Sequence, residues 1–256
     1  FLSSSSSEAS PETSPEASSD ASLSSSFDAG KYARFFEHPW LNGAARRFLF
    51  EERRIDERVA RWCRLTSWTD RKGVNWLQIP YFDMEGKLIG IQNRNLDYKK
   101  NQEKNVDSKG SSSPEGSSST EDSKDTEDSK DAPRFRFPYG ARCSIYNLPV
   151  VKMLKPGEKL FITEGCSDCW AMLSAGHKAI AIPSATLLKP EDKQLLADIE
   201  RQYQVEFHMF PDQDAPGEQL FLQLREILPP LVHHQLPPGY KDLREYYLFK
   251  FCKVGN

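Results

Sequence analysis

From residue 158 onward, short apolar runs alternate with amphipathic stretches, and that alternation limits the chain to few folds. Lys159-Leu160-Phe161-Ile162-Thr163, Ala179-Ile180-Ala181-Ile182 and Val205 to Phe210 read as strands. Cys169 to Ala175, Glu191 to Tyr203 behind Pro190, Gly217 to Leu228 and Asp242 to Phe249 read as helices, and Leu231 to Leu236 as a fourth strand. Strands separated by helices pair in parallel and are covered on both faces. The class is therefore α/β, and chemistry in such sheets collects beyond the carboxyl ends of the strands.

The preceding part reads differently. Phe48, Leu49 and Phe50, then Ile55, Val59, Trp62 and Cys63, fall at helical spacing, which predicts two short helices broken near Arg53-Arg54. Val74 to Tyr81 and Leu88 to Ile91 flank Asp83-Met84-Glu85-Gly86 and predict a hairpin, with Gly86 where a positive φ is useful. An α+β N-terminal subdomain over 31–157 thus precedes a parallel sheet flanked by helices over 158–256.

Charge divides the chain further. Of 256 residues, 34 are Lys or Arg and 37 Asp or Glu, a formal charge of -3. Residues 1–28 hold 13 Ser, five acids and no base, and residues 101–132 hold nine acids and four Lys, so each stretch carries -5. Without them the other 196 residues carry 30 bases against 23 acids, a mildly basic body suited to a polyanion. Neither acidic stretch has apolar periodicity to offset the entropy of ordering, so 1–30 is expected to be a disordered tail and 101–132 a disordered insertion. No run of 18 apolar residues exists, which argues against a membrane span. The start at Phe1 has no signal-peptide pattern and reads as a cut from a longer chain, and five Cys without framework spacing fit a reducing cytoplasm.

The strand ends carry carboxylates. Glu164-Gly165 follows the first parallel strand, Asp212-Gln213-Asp214-Ala215-Pro216-Gly217 the third, and Asp242 precedes the last helix. Right-handed crossovers bring the first two groups to one edge, where the carboxylates would repel and raise one another's pKa values. A hard divalent cation relieves that repulsion, so Mg²⁺ or Mn²⁺ phosphoryl transfer is the chemistry proposed. Gly165 and Gly217 are expected to let the backbone turn sharply beside these acids. An isolated Asp-x-Asp is more often a turn or a helix cap; order and placement set this one apart.

With those residues in view, Ile162-Thr163-Glu164-Gly165-Cys166-Ser167-Asp168 and Phe210-Pro211-Asp212-Gln213-Asp214-Ala215-Pro216-Gly217 resemble the two motifs of TOPRIM domains, and most closely those of bacterial DnaG-type primases. Ile79-Pro80-Tyr81-Phe82-Asp83 and Gly86-Lys87-Leu88-Ile89-Gly90 are similar to a hairpin of the primase N-terminal subdomain. The resemblance covers about residues 36–249. It implies an enzyme that makes RNA primers on single-stranded DNA from ribonucleoside triphosphates, with Glu164, Asp212 and Asp214 catalytic and metal-binding, Asp168 and Asp242 nearby, and two or more Mg²⁺ or Mn²⁺ ions. It implies nucleic-acid or nucleotide contacts by Arg94, Arg134, Phe135 and Arg136, and a replicative helicase as partner. Two positions depart from the pattern: Phe137 replaces an Asn, and a second acid after Asp242 is replaced by Arg244 or displaced to Glu245.

Other signals are weaker. Cys166-x-x-Cys169 lacks a second paired motif, so zinc is not expected in this fragment, and Cys169 reads as a small buried apolar residue. His233 and His234 alternate faces of a strand, and His208 reads as packed. Arg134-Phe135-Arg136-Phe137 fits base stacking and a plain edge strand equally. A TOPRIM nuclease and a catalytically weak single-strand-binding module remain alternatives; a topoisomerase would need a Tyr-bearing domain for which there is no room.

Overall fold

The computed structural model describes residues 27–98, 132–183, 188–240 and 242–252. Residues 1–26 of the Ser-rich tail, almost all of the acidic insertion and residues 184–187 lie outside the described residues; the end of the stretch expected to be disordered is ordered instead, Phe27 stacking on Tyr32 and Gly30 beginning the first helix.

The first half opens with α1 (Gly30–Glu37) and α2 (Gly43–Arg46), which runs directly into a π-helical turn over Arg47–Glu52. The Asn42 side chain accepts the Ala45 N–H at 2.9 Å and starts α2. The helical run stops at Arg53-Arg54, where Arg54 adopts φ 55°, and Asp56 caps α3 (Glu57–Trp62) by accepting the Arg58 N–H at 2.7 Å. Four antiparallel strands follow in spatial order: β1 (Thr66–Thr69), β2 (Asn75–Phe82), β3 (Leu88–Asn95) and β4 (Phe135–Arg136). The expected hairpin is β2–β3. Gly86 sits at φ 82°, and Asp83 accepts the Lys87 N–H at 2.8 Å. Neither α1 nor β1 is among the elements expected from the sequence, although Tyr32 and Phe36 of α1 lie at helical spacing and pack in one cluster. β1 reads Thr-Ser-Trp-Thr and gains its strand geometry from pairing Thr66 with Gln78 through Thr69 with Asn75.

The second sheet is parallel, ordered β6 (Lys178–Ala181), β5 (Lys159–Thr163), β7 (Glu206–Met209), β8 (Val232–His233). Its helices are α4 (Cys166–Ser174), α5 (Pro190–Tyr203), α6 (Ala215–Ile227) and α7 (Leu243–Cys252). The sequence places the fourth strand over Leu231 to Leu236, but only Val232 and His233 pair, as an edge beside β7. α4 begins three residues earlier than the periodicity predicts, because Cys166, Ser167 and Asp168 form its first turn.

One face of this sheet packs Leu160, Ile162, Phe207 and Met209 against Leu196 and Ile199 of α5 and Leu220 and Leu224 of α6. Leu148, Val150 and Val151, upstream of residue 158, join that cluster. The other face shares its core with the antiparallel sheet. Leu77, Ile79 and Tyr81 of β2 meet Cys166, Cys169 and Trp170 of α4 and Tyr247 of α7. Trp170 is fully buried and its Nε1 donates to the Tyr146 hydroxyl at 2.9 Å. Tyr146 in turn stands edge-on to Tyr81, with ring centroids 5.2 Å apart. Arg142, paired with the buried carboxylate of Asp192 at the start of α5, adds a second tie.

The segment carrying Arg142 crosses directly over Gly90 of β3. A Cβ there would run into the Arg142 carbonyl oxygen and lie 2.8 Å from Cys143 Sγ, so only glycine fits. Gly90→Ala is expected to destabilise the fold by about 1–3 kcal/mol through overpacking, a drop of several degrees in Tm. Thermal denaturation checks this, and an unchanged Tm would show that the crossing is loose.

Candidate active site

β5 lies at the centre of the parallel sheet, between β6 and β7. The residues following β5 and β7 therefore emerge side by side. Glu164 follows β5 and Asp212 lies just past β7, and the Asp212 N–H donates to Glu164 Oε1 at 2.7 Å. Gly217, in the first turn of α6, presses on this pair. A Cβ there would lie 2.7 Å from Glu164 Oε1 and 2.5 Å from the Asp212 carbonyl oxygen. Gly217 is thus small for close approach and sits within a helix, so the expectation of a sharp backbone turn fails here. It fails equally at Gly165, whose φ of -139° is extended backbone open to any residue. What that position needs is room, because an added Cβ would lie 2.8 Å from Asp168 Oδ2.

Asp168 occupies the first turn of α4, and Asp242 caps α7 by accepting the Glu245 N–H at 2.9 Å. Glu164, Asp168 and Asp242 share a cleft of about 250 Å³ with Arg53, Arg94, Arg134, Phe135 and Arg244. Carboxylates come from the parallel sheet and the helix starts, and three of the arginines come from the N-terminal half. The cleft is polarised, acidic on one wall and basic on the other.

The acidic wall is under electrostatic stress. Burial pushes the Asp168 carboxyl up to about 7, with the charges of Asp242 and Glu164 adding to it. Asp212 is likewise raised to about 7, by burial first and then by Glu164, Asp168, Asp242 and Asp214. Burial also raises Glu164, against the lowering effect of the Asp212 N–H, with Asp214 and Glu218 pushing it further up. On the basic wall, the Arg94 guanidinium stacks over Phe48 at 4.9 Å and Phe135 at 5.7 Å. Burial and the neighbouring Arg134 lower its pKa to about 10. Among the described residues Arg94 makes no ion pair, and the charges of Asp168 and Glu52 only partly offset the lowering.

The structure thus brings together Glu164, Asp168, Asp212, Asp242, Arg94, Arg134 and Phe135, leaves Asp214 near these acids but outside the cleft, and turns Arg136 away. Asp214 caps α6, its Oδ1 accepting the Gly217 N–H at 3.0 Å, and opens onto a second cleft with Glu218, His233 and His234. Arg136 points to the other side of β4, 4.4 Å over the Trp76 ring and 3.9 Å from Asp70, as strand alternation requires once Phe135 faces the cleft. Arg53 and Arg244 carry no sequence motif. Arg53 reaches the cleft because the π-turn bonds its N–H to Phe48 O at 3.0 Å and lays its guanidinium 4.9 Å over the Phe48 ring. Arg244 stands 3.8 Å from Asp242, its buried Nε without an acceptor among the described residues.

A divalent cation fits the chemistry of these donors, which are hard oxygens with unrelieved repulsion. No three of the described ligand-type side chains converge tightly enough to form a ready-made ion site. Cys166 and Cys169 are buried thiols. Cys166 is pushed up to about 12 by burial and lies 3.3 Å from the Tyr81 hydroxyl, and Cys169 packs as a small apolar residue. His208 is packed within the sheet, its Nδ1 2.7 Å from His234 Nε2, while His233 faces the opposite way against Phe221.

Solved structures with this arrangement of sheets include the RNA polymerase domain of Mycobacterium tuberculosis primase DnaG in complex with double-stranded DNA. It has a TM-score of 0.54 at 17% identity, over 88% of this chain and 74% of that one. A DnaG primase catalytic domain bound to ssDNA aligns at TM-score 0.52 and 15% identity, over 87% of this chain and 74% of that one. The primase fragment of the bacteriophage T7 primase-helicase aligns at 0.51 and 15%, over 78% and 68%. No protein-family model and no curated protein matches the sequence. The fold is that of DnaG-type primase catalytic cores. No helix among the described residues is long and apolar enough to cross a membrane.

The raised carboxyls give a pH signature. In the folded protein Asp168 keeps its proton up to about pH 7, whereas the unfolded chain sheds it near 4. The folded state binds the extra proton in that window, so this residue's contribution falls as pH rises from about 4 to 7. Asp168→Asn lacks that loss. In EDTA, its Tm relative to wild type should rise across that window and level off above it, and a pH-independent difference would contradict the assignment.

Proposed function

We propose that the chain is the catalytic core of a DNA primase, making RNA primers on single-stranded DNA by metal-dependent nucleotidyl transfer. The observation that carries this is the polarised cleft. Buried carboxylates share it with a ring-stacked guanidinium that makes no ion pair among the described residues, within a primase-type fold.

Each wall has a part. Glu164, Asp212, Asp168 and Asp242 would hold Mg²⁺ or Mn²⁺, with Asp214 recruited from its helix cap. The bound ions supply activation of a primer 3′-hydroxyl and neutralisation of the leaving pyrophosphate. Arg94, Arg53, Arg134 and Arg244 bind phosphate oxygens of the incoming ribonucleoside triphosphate and the template, which adds salt-dependent affinity without reading sequence. Phe135, half-buried at the cleft edge, offers a ring to an unpaired base. By analogy with the T7 primase-helicase fragment, a replicative helicase is the protein partner proposed.

One observation favours a second reading. Asp214 is committed to a cap and Arg244 occupies a place among the acids, which would suit a single-strand-binding module with weak catalysis. Incorporation of labelled ribonucleotides on single-stranded DNA, with Mg²⁺ or Mn²⁺ and with or without an annealed primer, separates the two. Incorporation by wild type, reduced at least a hundredfold in Glu164→Gln and Asp212→Asn, is expected. DNA binding without incorporation would leave the binding module.

A further inference from the structure

We infer that the chain holds single-stranded nucleic acid at a second subsite, separate from the catalytic cleft, built on Trp62, Arg64 and Phe82. This rests on the reading of the chain as an enzyme that works on single-stranded template. The subsite is a pocket of about 280 Å³ where the end of α3 meets the tip of the β2–β3 hairpin and the Tyr146–Pro149 segment. It shares no lining residue with the cleft. Pro80 and Phe82 line it, whereas Ile79 lines the cleft, and neighbouring side chains of a strand point to opposite faces.

Two features mark it as built for a ligand. Trp62 is 44% exposed, yet its ring is fixed, because Nε1 donates to Asn147 Oδ1 at 3.0 Å and Asn147 Nδ2 donates to the Ala179 carbonyl at 2.8 Å. An exposed indole tethered through its edge to a strand of the other sheet presents a rigid face. Beside it the Arg64 guanidinium lies 5.2 Å over the Phe82 ring and makes no ion pair among the described residues. The backbone adopts the left-handed region at both Arg64 (φ 50°) and Asn147 (φ 64°), the residues that set the guanidinium and the tether. At Arg64 this conformation closes α3, with the Leu65 N–H bonding the Ala60 carbonyl at 3.0 Å, and so fixes where the guanidinium leaves the helix.

The chemistry selects the occupant. An open aromatic face takes a nucleobase of any sequence, and adjacent guanidinium groups take the phosphates on either side, Arg61 being the second cation at the rim. An acidic peptide would use the cations but leave the indole face without a planar partner.

The test is anisotropy of fluorescein-labelled dT12 with the whole chain, in EDTA and without nucleotide. Trp62→Ala should weaken binding about tenfold, as loss of one base stack does. Trp62→Phe keeps a ring without the Asn147 bond and should stay within about threefold. Arg64→Ala should lower the slope of log K against log salt by about 0.7, one single-strand phosphate contact. Unchanged affinity in Trp62→Ala and Arg64→Ala overturns the inference, as does a Trp62→Phe loss equal to that of Trp62→Ala, which would mean a structural tether. Displacement of dT12 by octaglutamate in wild type but not in Arg64→Ala would assign the pocket to an acidic peptide and overturn it as well. If Arg94→Ala alone weakens binding, only the second subsite falls. If wild type does not bind dT12 at all, the primase reading falls with it.

Discussion

The seam between the two sheets sets everything else. Tyr81 from the hairpin, Tyr146 from the connecting segment and Trp170 from α4 meet edge to face in a fully buried cluster, with Cys166 under the Tyr81 hydroxyl. Aromatic contacts of this kind are directional as well as apolar, so they fix how the antiparallel sheet sits on α4. Because that docking is fixed, the arginines carried by β3 and the π-turn face the carboxylates carried by β5 and α4. The cleft is a consequence of the seam.

The two walls oppose one another in a useful way. Carboxyl groups crowded by burial and by each other stay partly protonated at neutral pH, and an arginine stripped of water makes no ion pair among the described residues. Either wall alone is a cost to folding. Together they suit the proposed function, in which ligands of both signs complete the site, cations on one side and phosphates on the other. Gly217 and Gly165 set the fine spacing on the acidic side by leaving room that any side chain would fill.

Much of this was legible in the sequence. The alternation after residue 158 gives the parallel sheet, and the position of Glu164, Asp212 and Asp242 at element ends gives the acidic wall, since both depend on local periodicity. Arg94 and Arg134 entered through a resemblance. Arg53 did not, because it reaches the cleft through a π-turn that shifts its direction, and a single inserted residue in a helix leaves no periodic mark. Arg136 and Asp214 show the converse: the motif names the residue type, but strand alternation and a helix cap decide where it points. The second pocket was invisible because its parts come from α3, the hairpin tip and residue 147, far apart in the chain.

The central proposal is that the acidic wall is a cation receptor kept partly protonated until it is filled. Titration of the protein with Mn²⁺ in weakly buffered solution, following proton release by pH-stat and bound metal by electron paramagnetic resonance, tests it directly. Binding accompanied by proton release at pH 6.5, with release vanishing at pH 9, is the predicted result. Binding without proton release at pH 6.5, or no binding at all, would contradict it.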